Sequence, residues 1–463
     1  MSISKPRFSL PVVAAEDYRH AVAGEPWELC PVAITGPIAY RSAPRDDSVE
    51  ATRQLAETSL RTPLDYPDIR NAILAGDHVA LAVDPNVPRV AEVIAGVLRV
   101  LESCQAGRVS IVLWQEASDA CYQALTERFQ TGIPSDAISK DSETDRGVTS
   151  GGHAAVTVTR HLPRDRREMR YVAADADAEA VYLARDLVDA DFTLPIVAAR
   201  ACDAAERMDK ANVFPMFADA STMQRYQTTV SLEESERMAQ EVGWLLGVQL
   251  LVMVSSNAAG SVARILTGTP DAIRSELDTL HADERDHMGE HETRPVAEMV
   301  VAALDGDTNV QTWANVARAA IAANRHTEGD SAIVVWSQLQ EPPSAVWQHE
   351  FSDRPGSEGP LSTSSDDPDR EPATEITEPG ADFSDWSTDR ALARKLAELI
   401  AANRVFLHSR LADADVEALG IGIISSVEEL HRLGQTCQAA GMLRAAHYQA
   451  ACIARTETAS EGS

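Results

Sequence analysis

Residues 78–114 constrain the architecture more than any other stretch of the chain. HVALAV (78–83) is a β-branched, uncharged run of strand length, and VSIVLW (109–114) is another. Between them Val90, Val93, Ile94, Val97, Leu98 and Leu101 recur at three- and four-residue spacing, so 88–103 reads as an amphipathic helix. Pro88 suits its first turn and Gly107 closes it. A strand, a helix and a second strand in this order imply parallel strands joined by a right-handed crossover. An α/β fold is therefore the expectation.

The alternation continues. AAVTVTR (154–160) and DFTLPIV (191–197) are further strands, and 231–246 is a helix with the acidic first turn SLEESE. A second series is then expected. VQLLVMVS (248–255) and SVARIL (261–266) read as adjacent strands, and TPDAIRSEL opens a helix with Thr269 as cap and Pro270 at its first position. EMVVAAL (298–304), the helix WANVARAAIAAN (313–324) and SAIVVWS (331–337) follow. A helix near 388–402, the strand RVFLHS (404–409) and a last helix with the capping box Ser426 and Glu429 complete the pattern.

With 463 residues the chain exceeds one typical core. Two α/β domains with a ligand cleft between them are expected. The first spans 1–235, and the second is made of 236–351 and 383–452. Residues 352–382, rich in Pro, Ser, Asp and Glu, form an acidic insert too poor in apolar residues to order itself, and 453–463 is a frayed tail. Residues 130–153 read as a loop.

A formal net charge of −30 sets the surface against nucleic acid and anionic membranes. The longest apolar stretch, VGWLLGVQLLVMVSS (242–256), is broken by glycines and is too short to span a bilayer. Six cysteines without C-x-x-C spacing, and an opening MSISKPRFSL without an apolar signal core, make a reducing, cytoplasmic location the expectation. Neither a phosphate-cradling G-x-G-x-x-G or G-x-x-x-x-G-K-[ST] loop nor a G-x-S-x-G elbow occurs. HADERDHMGEH (281–291) puts His287 and His291 four apart, but without the Glu of H-E-x-x-H it reads as a solvated charged segment.

The order of segments resembles the nickel-pincer (LarA-type) lactate racemases, over roughly residues 50–450. LRTPLDYPDIRNAILAGDHVALAVD is similar to the entry into that family's first strand, and RHLPRD (160–165) to its His-Asp-Pro segment. VYLARDLVDADFTLPI (181–196) resembles its asparagine-arginine, alanine-aspartate block, and VFPMFADASTMQRY (213–226) the segment after its cofactor-bearing lysine. LLVMVSSNAAGSVARILTGTPDAI looks like the first strands of its C-terminal domain. The runs from AEMVVAAL to AIVVWS and from NRVFLHS to SSVEEL look like its closing blocks. The resemblance implies 2-hydroxyacid racemisation on a nickel-pincer nucleotide, with a histidine taking the hydroxyl proton and an arginine holding the carboxylate.

Carried over residue by residue, the resemblance departs where the chemistry lies. The family's aspartate-any-threonine-arginine-proline motif falls on Asp84, Pro85, Asn86, Val87 and Pro88. Asp84 and Pro88 match, Asn86 keeps hydrogen-bonding character, and Val87 stands where the arginine belongs, with Arg89 nearby. The glycine-threonine-histidine-arginine motif falls on WQEASD (114–119), where Glu116 and Asp119 are the only candidate bases and read as exposed. PIVAARACDAAERMDKANVFP (195–215) has no histidine or glycine; Lys210, its only lysine, is the candidate cofactor-linking residue. The family's Gln-x-x-Lys pair falls on Asn315 and Arg318, which share one helix face and keep an anion-binding cation. His161 reads as a strand-end structural histidine.

The expected ligand is a small anion such as a 2-hydroxy acid, with Asp84, Asn86 and Lys210 on the cofactor side and Asn315 and Arg318 on the catalytic side. The expected function is a LarA-like protein without nickel-pincer catalysis, and the cofactor is left open because the histidines that serve it are missing. Two alternatives stand beside it. One is an active 2-hydroxyacid racemase or epimerase with relocated groups, such as Glu116, Lys210, Asn315 and Arg318. The other is a non-catalytic partner-binding protein using the acidic 352–382 segment.

Overall fold

A computed structural model describes residues 48–131, 154–175, 178–199, 213–228, 232–257, 260–277, 279, 297–352, 387–434, 436–437 and 440–448. The α/β expectation holds: two sheets, each covered by helices, make up the molecule.

The first sheet is built from β1 (His78–Val83), β2 (Arg108–Leu113), β3 (Ala155–Arg160), β6 (Phe192–Ala198), β7 (Leu251–Ser256) and β8 (Val262–Gly268). A small antiparallel pair, β4 (Met169–Ala174) and β5 (Ala180–Ala184), lies between β3 and β6 in the chain. The spatial order is β3-β2-β1-β6-β7-β8. All neighbours are parallel except β8, which runs antiparallel to β7. The helices of this half are α1 (Val49–Arg61), α2 (Val90–Ser103), α3 (Asp119–Phe129), α4 (Arg185–Val188), α5 (Ala220–Thr228), α6 (Leu232–Leu245) and α7 (270–277).

The pleat sorts this sheet's side chains by parity. Val79, Leu81 and Val83 join the core beneath α1, α2 and α3, while Ala80 and Ala82 face Trp114, Met216 and Phe217 on the other side. Each Val or Leu so buried contributes about 1.5–3 kcal/mol. Helix α2 begins at Val90, two residues later than the sequence implies, because Arg89 takes a left-handed φ of 50° as the N-cap. Pro88 therefore belongs to the corner rather than the helix.

The strands expected to open a second series complete the first sheet instead. β7 pairs in parallel with β6, Ile196 opposite Val252, so α6 is a crossover within one sheet rather than a separator. β8 returns as a hairpin arm, and an antiparallel partner cannot continue a strand–helix–strand series.

The second sheet begins at β9 (Ala297–Ala303) and adds α8 (Trp313–Asn324), β10 (Thr327–Trp336), α9 (Ala345–Ser352), α10 (Thr388–Ala402), β11 (Arg404–His408), α11 (Asp413–Glu417), β12 (Gly422–Ile423), α12 (Val427–Gly434) and β13 (Ala440–Leu443). Its order is β12-β11-β10-β9-β13, parallel throughout. Val300, Ala302, Ile333 and Val335 face α8, α9 and α10, and Met299, Val301 and Val334 face Val427 and Leu430 of α12. Half of the expected capping box forms: the Glu429 backbone N–H reaches Ser426 Oγ at 3.3 Å, whereas the Glu429 carboxylate accepts from the N–H of Ser425, one residue before the cap, at 2.7 Å.

The chain after β13 returns to the first half. Arg444 and the Ala445 N–H both donate to the Asp305 carboxylate at the end of β9. Tyr448 then enters the same core as Val87, Val90 and Val310. The segments expected at 130–153 and 352–382 fall almost wholly outside the described residues, as does the tail. No described helix is long and apolar enough to cross a membrane.

Candidate functional site

In parallel α/β sheets, polar groups that must meet a ligand gather outside the carboxyl ends of the strands. Asp84 follows β1, Glu116 follows β2 and Asp305 follows β9. Helix α8, which crosses back after β9, brings Asn315 to Asn86, two residues past Asp84, and Arg318 to Glu116.

The corner at Asp84–Pro88 is fully committed. Asp84 is completely buried. Its Oδ1 accepts from the Asn86 N–H and the Asn86 Nδ2, each at 2.9 Å, and its Oδ2 accepts from the Ala198 N–H at 3.3 Å. This is an Asx turn locked to the neighbouring strand β6. The corner is also held from the second half: Asn309 Nδ2 donates to the Pro85 carbonyl at 3.0 Å, and the Tyr448 hydroxyl donates to the Asn86 carbonyl. Val87 is fully buried in the apolar core, where a carboxylate-binding arginine would have pointed otherwise.

From Asn86 the hydrogen bonds run across the junction of the two sheets. Asn315 Nδ2 donates to Asn86 Oδ1 at 2.8 Å and to the Val310 carbonyl at 2.8 Å. Arg318 Nη1 donates to Asn315 Oδ1 at 2.8 Å, so the three-residue spacing does place both side chains on one face. Arg318 Nη2 donates to both oxygens of Glu116, at 3.2 and 2.9 Å. The Arg318 and Glu116 side chains are only 5% and 7% exposed. Arg318 is an interior residue, as is every residue from Trp313 to Ala323 of α8. The reading of Glu116 as exposed is corrected: the turn after β2 folds its carboxylate inward onto a guanidinium.

Asp389, in the first turn of α10, joins this cluster. Burial, and then the nearby Glu116 charge, push its carboxyl up to about 6, against the opposing pull of Arg318 and of a hydrogen bond from Trp347. The folded protein holds a proton there that the unfolded chain has already lost. The stabilisation this gives is complete below the usual carboxylate range and is withdrawn as pH rises through about 6.

The remaining candidates lie elsewhere. Asp119 begins α3, 76% exposed as a side chain, and pairs with Arg160 at 2.7 Å. His161 is buried against Phe217, and its Nε2 donates to the Ala218 carbonyl at 2.8 Å; burial lowers its pKa to about 4, so it is a neutral structural group. Lys210, His287 and His291 lie outside the described residues. Four of the five residues singled out from the sequence, Asp84, Asn86, Asn315 and Arg318, thus form one bonded chain. Sequence reasoning missed Asp389, Asn309 and Tyr448. An aspartate in a helix's first turn is ordinary, and nothing near Tyr448 in the sequence marks it as a partner of Asn86. Among the described residues, no group of three or more His, Cys, Asp or Glu side chains is placed to hold a metal ion.

No protein-family model matches the chain, and no curated protein matches it. Among solved structures it is similar to the lactate racemase apoprotein from Thermoanaerobacterium thermosaccharolyticum, with a TM-score of 0.54 at 9% identity, over 93% of this chain and 98% of that one. It is also matched to a protein from Thermotoga maritima with a TM-score of 0.49 at 9% identity, over 88% and 99% of the two chains. The first likeness, at that identity, establishes the lactate racemase fold.

Proposed function

We propose that this lactate-racemase-fold protein binds a small anion, a 2-hydroxy acid or a similar carboxylate, at the junction of its two sheets, and does not racemise it on a nickel-pincer nucleotide. One observation carries the reading: a buried guanidinium, Arg318, accommodates a carboxylate, that of Glu116, between the two sheets. A site already shaped to hold a carboxylate against an arginine is suited to a ligand of the same chemistry.

The residues described here do not fit the nickel-pincer nucleotide. The chain of bonded groups consists of carboxylates, carboxamides and a guanidinium, with no imidazole among them. Hard oxygen donors that are already engaged with N–H groups are poor ligands for a nickel held through carbon. Val87 removes the cation that the resemblance assigns to that corner. A second reading, an isomerase with relocated groups, is favoured by Asp389 alone, whose carboxyl near 6 is tuned as a general base would be.

Thermal unfolding of the full-length protein tests the ligand. Sodium lactate or malate is expected to raise the midpoint saturably, reaching the equivalent of about 2.7 kcal/mol at a concentration of about 100 Kd, while sodium chloride at equal ionic strength does not. Absence of a saturable rise with any small carboxylate would contradict the reading.

A further inference from the structure

Glu116 and a ligand carboxylate cannot both have Arg318. Nη1 of Arg318 is given to Asn315 and Nη2 to both oxygens of Glu116, at the depth where a ligand would have to meet the guanidinium. Glu116 sits on the short turn between β2 and α3, next to the exposed Gln115, so its side chain has a route outward that Asn315, inside the fully buried α8, lacks.

A second carboxylate faces the same guanidinium. Asp389 lies within reach of the charges of both Glu116 and Arg318 and accepts a hydrogen bond from Trp347 of α9. Of the other ionisable groups on the packed elements, His349 lies on α9 and Arg404 opens β11, and two more are engaged elsewhere. Glu350 of α9 is held by Arg390 and Arg394 of α10. His408 of β11 hydrogen-bonds through Nδ1 to the Ile424 carbonyl and stacks on Trp336. Arg318 thus faces two acids before any ligand arrives.

We propose that Glu116 is an intramolecular competitor: a ligand carboxylate binds Arg318 by displacing the Glu116 carboxylate. This rests on the reading that the junction binds a small carboxylate, and it adds how that binding is regulated. Asp389 faces whichever carboxylate holds Arg318, so its charge opposes Glu116 and the ligand alike. The exchange swaps one carboxylate for another on the same cation and involves no covalent change.

Calorimetric titration of the full-length protein with sodium L-lactate and sodium acetate, at constant ionic strength, tests this. At about pH 7.5 the Glu116→Gln variant is expected to bind at least about tenfold more tightly than wild type, because a neutral amide competes poorly for a guanidinium. Glu116→Ala is expected to bind more tightly than wild type as well, and keeps the test open if the amide variant does not fold. Binding in wild type with unchanged or weaker binding in both Glu116 variants overturns the competitor while leaving the carboxylate site intact. No binding of either anion by any of the proteins overturns the site itself.

Discussion

Replacing Arg318 with alanine is expected to destabilise the protein by about 3–5 kcal/mol, the usual cost of stranding one member of a buried ion pair. The loss is more than one contact. Glu116 would keep a charge in a position 7% exposed with no guanidinium opposite, and Asn315 Oδ1 would lose its 2.8 Å donor. Asp389, already raised by its neighbourhood, would lose the one charge that opposes that shift. Urea unfolding at neutral pH reads the effect as a lower midpoint with an unchanged slope. The companion experiment is Arg318→Met with Glu116→Leu. Removing both charges leaves no uncompensated ion, so the double variant should recover most of the loss. A single-variant cost below about 1 kcal/mol would mean that the pair is wet and not part of a closed joint.

A second large effect is expected at the tip of the β7–β8 hairpin. Gly260 has a φ of +73°, and a Cβ placed there would lie 2.2 Å from both the carbonyl carbon and the oxygen of Asp305 and 2.3 Å from the Gly306 nitrogen. All three are backbone atoms, so no rotamer change relieves the clash. The hairpin tip of the first sheet presses on the corner that follows β9 of the second, and Asp305 at that corner also holds Arg444 and the Ala445 N–H. Gly260→Ala is therefore expected to cost more than about 4 kcal/mol, the range reserved for severe packing or backbone conflicts, and to loosen the contact between the sheets. Gly247→Ala is the control. Its φ of +67° is also left-handed, but nothing lies within 4 Å of the added carbon. It should cost only the conformational penalty of about 1–2 kcal/mol. Thermal unfolding of the two variants side by side checks this, and equal losses would show that backbone conformation rather than sheet contact dominates at Gly260.

These two positions also show what the sequence can and cannot express. The β1–α2–β2 unit was legible because its periods change from two to 3.6 and back within one short stretch. The pairing of Asn315 with Arg318 was legible because helical spacing fixes which side chains meet. The corner at Asp84 was legible as a polar break at a strand's carboxyl end. Neighbours in a sheet were not. LVMVSS (251–256) has the same buried pattern whichever sheet receives it, and only the register of Ile196 against Val252 assigns it to the first. The partners of the site were equally hidden. Glu116 in a turn reads as solvated until Arg318, 202 positions away, is folded against it. Tyr448 reaches Asn86 across 362 positions. Contacts at such separations follow from topology, and no local period encodes them.

The histidines expected from the family resemblance pose the converse case. Their absence is visible in the sequence, but what replaces them is not. In the folded chain Asp84, Asn86, Asn315, Arg318 and Glu116 satisfy one another across the junction, so these positions form a closed joint. A half-satisfied network of this kind would be costly, and a complete one rigidifies the place where the two sheets meet.

The proposed function is a carboxylate site at the junction of the two sheets without nickel-pincer chemistry. The most direct measurement is made on one preparation of full-length protein from nickel-supplied cells: nickel content per chain, together with loss of optical rotation from L-lactate and from D-lactate. The account predicts substoichiometric nickel and no racemisation of either enantiomer. About one nickel per chain with racemisation from both directions, as expected of a metal-cofactor hydride transfer, would contradict it.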